Sequence, residues 1–219
     1  MKKIALLFSV LFLLFSTSCK QNEAYADKIS QLRYDILYSF TEDYEIFAYK
    51  EIREEPLKDD GKKDETKNVL TFKIVFKKEM SLKSSPVVQF SIDGINYRKE
   101  FEYRPLSNYV SCYFFLPSLP KEKLGISLEF DERKETHTLL TVLNKATINY
   151  SEALTGIAES DDEDAKKFFG GNENYEIRIR LIYSDDYRCY YVGLFSASES
   201  VSYLVDGENG EIIAKKVNG

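Results

Sequence analysis

The chain has 219 residues, 43% of them hydrophobic, with 16 Tyr, 15 Phe and no Trp. That much apolar and aromatic material excludes a disordered stalk and is enough for one large domain or two small ones. Thirty basic residues stand against 36 acidic ones, a net charge of −6, and such a surface repels a phosphate backbone, which argues against nucleic acid as a partner.

The chain opens MKKIALLFSVLFLLFSTSCK. Lys2 and Lys3 make a charged start, Ile4 to Phe15 an apolar run too short to span a bilayer, and Ser16, Thr17 and Ser18 lead into Cys19. This is the layout of an export signal. With Cys19 directly after small residues it resembles a bacterial lipoprotein signal, although Ser16 stands where such signals usually carry Leu. The other reading is a secretory signal cut near Ser18 or Ala24. The lipoprotein resemblance implies a signal peptide over residues 1–18, lipidation of Cys19 and a tether over 19–28. It also implies a place on the outer face of the cell membrane, or on the outer membrane of a Gram-negative cell, held firmly by several acyl chains. Loss of residues 1–18 leaves 28 basic and 36 acidic residues, a net charge of −8.

Ile29, Leu32, Ile36, Leu37 and Phe40 fit a helical stripe, whereas Leu32, Tyr34, Ile36, Tyr38 and Phe40 fit a strand equally well. The reading taken is a helix over about 27–39, then a strand through Tyr44, Ile46, Ala48 and Lys50. Residues 54–68, EEPLKDDGKKDETKN, hold the densest charge and are expected as a solvated loop. From Val69 to Val142 the pattern is all β. VLTFKIVFKK alternates, Asp93-Gly94 marks a hairpin in VVQFSIDGINYRKEFEY, and YVSCYFFL, LGISLEF and THTLLTV follow. Strands so spaced predict a mainly β-sandwich domain over 29–144, immunoglobulin-like or transthyretin-like in shape.

The pattern changes near residue 145. Ser151 precedes a short amphipathic helix through Leu154, Ile157 and Ala158. Ser160, with Glu163 three residues on, opens a second that stops at Gly170-Gly171. The strands NYEIRIRLIYS, YRCYYVGLFS and VSYLVDGENGEIIAKK close the chain. The expected fold class is therefore α+β, mostly β: an N-terminal sandwich followed by a small helix-plus-antiparallel-sheet domain over 145–219.

INYSEALTGIA and YLVDGENGEIIA resemble the PepSY module, found in propeptides of thermolysin-like metallopeptidases and in many bacterial envelope proteins. Ile148, Glu152, Ala153, Leu154 and Ala158 match its helix. Tyr203, Val205, Asp206, Gly210, Glu211, Ile212 and Ile213 match its closing strand and turn. The match covers about residues 146–216, and the ESDDEDAKKFFGG insertion and the LFSASES connection depart from the module's usual shorter loops. The resemblance implies a binding or inhibitory role with no shared catalytic residues.

Chemistry-bearing constellations are sparse. His137 is the single histidine, which excludes multi-histidine metal sites, and no nucleophile elbow or His-Glu-x-x-His string accompanies it. Asp161, Asp162, Glu163 and Asp164 read as helix-start acids, because consecutive helical residues cannot converge on one ion. Asp206, Glu208 and Glu211 fail the EF-hand spacing and read as a turn. Cys112 and Cys189 fall in different predicted strands and are expected as buried thiols rather than a bridge. Tyr109, Tyr113 and Phe115 alternate onto one strand face opposite Phe114 and Leu116. Exposed, that row would stack on sugars or clamp a peptide; buried, it is core. The expected function is a lipid-anchored binding or regulatory protein acting on another envelope protein or peptide, with no catalytic, metal or cofactor residue assigned. Capture of a ligand or glycan, or an enzyme with an unrecognised carboxylate pair, are the alternatives.

Overall fold

The computed structural model describes residues 25–58, 60–78, 84–103, 107–131, 133–171, 174–184 and 187–218. The expected signal segment and Cys19 lie outside the described residues. Of these, 58% are in strands and 11% in helices. The strands are β1 (Ile29–Phe40), β2 (Tyr44–Glu54), β3 (Thr66–Phe76), β4 (Val87–Ile92), β5 (Ile95–Glu100), β6 (Glu102–Tyr103) and β7 (Tyr109–Phe115). They continue as β8 (Lys123–Phe130), β9 (Arg133–Thr141), β10 (Glu176–Ser184), β11 (Tyr187–Phe195), β12 (Ser200–Asp206) and β13 (Ile212–Asn218). Two α-helices, α1 (Tyr150–Ala158) and α2 (Glu163–Gly170), lie between β9 and β10.

All thirteen strands belong to one sheet, and β1 is its hub. One edge of β1 pairs antiparallel with β2 from Gln31 to Phe40. Its other edge is shared. Ile29 to Arg33 run parallel to β10, and Leu37 and Tyr38 pair antiparallel with β9. The switch falls at a bulge between Arg33 and Asp35, where Tyr34 has no partner on β2. A bulge adds one residue to one strand and so reverses which face the following side chains occupy. Asp35 staples this junction. Its Oδ2 lies 2.7 Å from Lys50 Nζ on β2, while its Oδ1 accepts from the Thr141 hydroxyl at 2.6 Å and the Ile36 N–H at 2.7 Å.

From β1 the sheet runs one way through β2, β3, β7 and β6, and the other through β9, β8, β4 and β5. β5 and β6 are consecutive in the chain, separated only by buried Phe101, whose N–H donates to the Pro86 carbonyl at 2.8 Å. The antiparallel part therefore nearly closes as a barrel around Leu37, Ile46, Ala48, Leu70, Phe72, Ile74, Val88, Ile126, Leu128 and Leu139. The other arm, β10 to β13, carries α1 and α2 on one face over a second core containing Ile177, Ile179, Tyr190, Val192, Val201 and Tyr203.

Three expectations are corrected. The chain is not a sandwich followed by a separate helix-plus-sheet domain, because β10 pairs with β1 and joins the C-terminal strands to the barrel-like sheet. The helix over 27–39 is strand β1. It is central, so both faces are covered, and Ser30 to Leu32 and Asp35 to Leu37 are buried in runs that mimic helical spacing. The charged stretch after β2 is not simply solvated: Glu54 and Gly61 are buried. Gly61, at φ +72°, lies so close to the Ser196–Ala197 backbone that a Cβ would come within 3.2 Å of it.

The helices cap differently from expectation as well. Asn149, not Ser151, caps α1, its side chain accepting from the Ser151 and Glu152 N–H groups while the Glu152 carboxylate accepts from the Asn149 N–H at 2.7 Å. Asp162, not Ser160, caps α2 through the Ala165 N–H at 3.0 Å. Each pairing satisfies donors that the first helical turn leaves without partners.

Candidate functional site

Alternation places a long row of side chains on the outer face of the central strands. With Ile46 and Ala48 turned into the barrel, Phe47, Tyr49, Glu51 and Arg53 of β2 turn out. In register beside them come Lys73, Thr71 and Val69 of β3, then Ser111, Tyr113 and Phe115 of β7. The predicted surface residues Tyr109, Tyr113 and Phe115 thus lie together on this face, half-buried except Phe115, which is 46% exposed. Cations cover each ring. Lys73 sits 4.4 Å from the Tyr109 centroid, Lys99 4.4 Å from Tyr113 and Lys67 5.2 Å from Phe115. These are cation–π contacts at partly wet sites, so the ring faces are already in use.

The same face continues across β1 onto β10 and β11. Arg178 pairs with Gln31, which pairs with Arg53; Arg180 pairs with Arg33, which pairs with Glu51. Six polar side chains thus form a two-by-three array on three adjacent strands. Glu51, at the β2 corner of the array, is fully buried and binds two of its arginines. Arg33 reaches Glu51 Oε1 at 2.6 and 2.7 Å, and Arg53 reaches its Oε2 at 3.1 Å. Arg178 binds Glu176 at 2.6 Å and donates to the Lys58 carbonyl from the overlying loop. Burial pushes the Glu176 carboxyl up, against the Ser30 hydroxyl and the Arg178 guanidinium.

Arg180 is different. Its Nε donates to the neutral amide oxygen of Gln31 at 2.7 Å, and among the described residues no carboxylate pairs with it. Burial, and then the like charge of Arg33, weaken its hold on its proton. Tyr191, opposite Arg180 on β11, and Phe195 wall one side of the array. Gly193 between them is what allows this, since a Cβ there would meet the Phe195 ring at 2.5 Å and the Tyr191 hydroxyl at 2.7 Å.

A second surface is the edge strand β13. Among the described residues it pairs only with β12, and every one of its residues is exposed. Ile212, Ile213 and Val217 are 39, 56 and 53% exposed. Every second residue of such a strand turns its N–H and C=O away from the sheet. The turn into β13 is self-contained. Asp206 Oδ1 accepts from the Glu208 and Asn209 N–H groups at 2.8 and 3.0 Å, and Gly210 alone of its glycines takes positive φ, +78°.

The remaining candidates fall elsewhere. His137 lies on β9 with Nε2 3.0 Å from the Tyr44 hydroxyl, which donates to Glu135 Oε2 at 2.5 Å. Burial holds the imidazole below its ordinary value, with Glu135 partly opposing. Cys112 and Cys189 are buried free thiols, the first pushed up to about 12 by burial. Among the described residues no three His, Cys, Asp or Glu side chains group as metal ligands. A groove of about 410 Å³ lies over the β4–β5 hairpin between Gln89, Phe90, Asn96, Tyr97 and Arg98.

Sequence reasoning missed Arg33, Arg53, Arg178 and Arg180, because β1 and β10 are separated by about 150 residues of chain. One signal existed: in EIRIR, Glu176, Arg178 and Arg180 alternate with isoleucine, so a strand buried on one face carries three charges on the other. The chain matches no protein-family profile, no curated protein and no solved structure.

Proposed function

We propose that this is a non-catalytic binding or regulatory protein of the cell envelope, lipid-anchored at Cys19, which engages another envelope protein by accepting that partner's strand along β13. The observation that supports this reading is the open edge itself, seven exposed residues with three large apolar side chains and, among the described residues, no strand beyond it. An added strand gains affinity from main-chain hydrogen bonds and specificity from alternate side chains. Lys216 favours a partner strand with acidic residues and disfavours pairing of β13 with a second copy of itself. The PepSY-like strings around Glu152 and Asp206 point to the same class of role, as accessory to an envelope peptidase or wall hydrolase. The resemblance of residues 1–19 to an export signal supports an encounter outside the cytoplasm.

Two variants test this. Cys19→Ala is expected to leave the membrane fraction for the soluble extracytoplasmic one, and continued retention would remove the anchor from the account. Ile213→Glu with Val217→Glu changes exposed positions only. It is expected to keep the parent's thermal midpoint while losing the envelope protein that crosslinks to the parent in intact cells. Undiminished crosslinking would remove β13.

A further inference from the structure

We propose that the array around Arg180 is a binding site for a small oxyanion-bearing ligand, a phosphate or carboxylate group held by the Arg180 and Arg33 guanidinium groups, with the body of the ligand against Tyr191. The following observations carry it.

Arg180 and Arg33 face each other directly across the β1–β10 ladder. Like charges so placed are destabilising. A half-buried cation is ordinarily matched by a carboxylate. Arg33, Arg53 and Arg178 are so matched, and Arg180 has only an amide oxygen. Through Nε it is held in place, and its two terminal amino groups are left as a planar pair of donors. That geometry fits two oxygens of a phosphate or carboxylate, which a lysine could not match.

The surroundings suit a ligand with a flat or ring-shaped body. Arg33 lies 4.2 Å from the Tyr49 centroid and Arg180 5.6 Å from that of Tyr191, so aromatic surface borders the cations on both sides. Gly193 lets the Tyr191 and Phe195 rings close over β11 beside Arg178. The loop after β2 fixes Arg178 through the Lys58 carbonyl and so holds that corner of the array in place. On a chain with a net charge of −6, an arginine that no carboxylate contacts directly is a local exception rather than part of a basic surface, although the Glu51 charge nearby favours its protonated form.

Calorimetric titration of the purified protein at fixed ionic strength tests this with three probes: inorganic phosphate, glucuronate and neutral glucose. Saturable one-to-one binding of phosphate or glucuronate is expected, and which of the two binds more tightly identifies the oxyanion. Arg180→Met is expected to weaken that binding at least about tenfold, the loss of one charge-assisted hydrogen-bond pair. Arg180→Lys, which keeps charge and packing, should recover only part of it. Lys123→Met, an exposed lysine on β8, should change nothing. Without ligand, Arg180→Met should unfold at or above the parent's midpoint, because the opposed charge is gone. Failure of both anions to bind, glucose binding as well as glucuronate, or an undiminished response in Arg180→Met would each overturn the proposal.

Discussion

Lys215 Nζ of β13 lies 2.6 Å from Asp162 Oδ2, the cap of α2, and 2.5 Å from Asp164 Oδ2. Asp162 also accepts from the Tyr203 hydroxyl at 2.9 Å and the Ala165 N–H at 3.0 Å. One carboxylate therefore ties a helix start, a central strand and the edge strand together, which keeps β13 ordered although its faces are bare. Burial raises the Asp162 carboxyl, and the Lys215, Ala165 and Tyr203 donors outweigh it, holding the group down to about 2.

Its depressed value sets a pH window. A carboxyl lowered on folding contributes stability that is complete above its unfolded value of 3.8 and is lost as pH falls towards 2. Asp162→Ala is expected to cost about 1–2 kcal/mol at neutral pH, the size of a lost N-cap. In urea titrations the gap between parent and variant should close between pH 4 and pH 2. A gap that persists at the acid end would contradict this role.

At the hub, Asp35 and Lys50 are each about 5% exposed and pair at 2.7 Å. Removing one member strands the other charge, so Lys50→Met is expected to destabilise by about 3–5 kcal/mol. Replacing both, Asp35→Asn with Lys50→Met, should recover part of that loss in chemical denaturation. Additive losses would show that the pair is not coupled.

His137 is a second pH-sensitive point. Its imidazole is depressed on folding, chiefly by burial, so stability is present above pH 6.5 and falls as pH drops below it. Its ring resonances should titrate below 6.5 in the folded protein. Tyr44→Phe removes the hydroxyl shared with Glu135, at an expected cost of about 1 kcal/mol. A titration midpoint at or above 6.5 would refute this assignment.

Gly193→Ala probes the aromatic wall. The new methyl meets the tips of two movable side chains rather than backbone, so the protein should fold with a loss of about 1 kcal/mol. Tyr191 fluorescence and the Phe195 ring resonances should shift. Unchanged spectra would show that the rings do not close over the strand.

Local chemistry was legible where it is local. Asp93-Gly94 has positive φ at both residues and joins β4 to β5 as its dipeptide predicts, and the alternation of β3, β7 and β12 reads directly from the sequence. β1 was not legible, because a central strand buried on both faces loses its period of two and a bulge shifts what remains. The parallel pairing of Ile29 with Ile177 left no local trace, and with it went the single-sheet architecture. Tyr109, Tyr113 and Phe115 were read correctly as sharing one strand face, but the cations over their rings come from β3, β5 and the start of β3 and could only be placed by folding.

The central claim is that β13 is the binding edge, and site-specific photocrosslinking in intact cells tests it most directly. A photoreactive side chain at Ile213 or Val217 is expected to give one adduct of defined mass with another envelope protein, while the same group at Leu140, equally exposed on β9, gives none. No adduct at β13, the same adduct from Leu140, or only a dimer of the chain itself would contradict it.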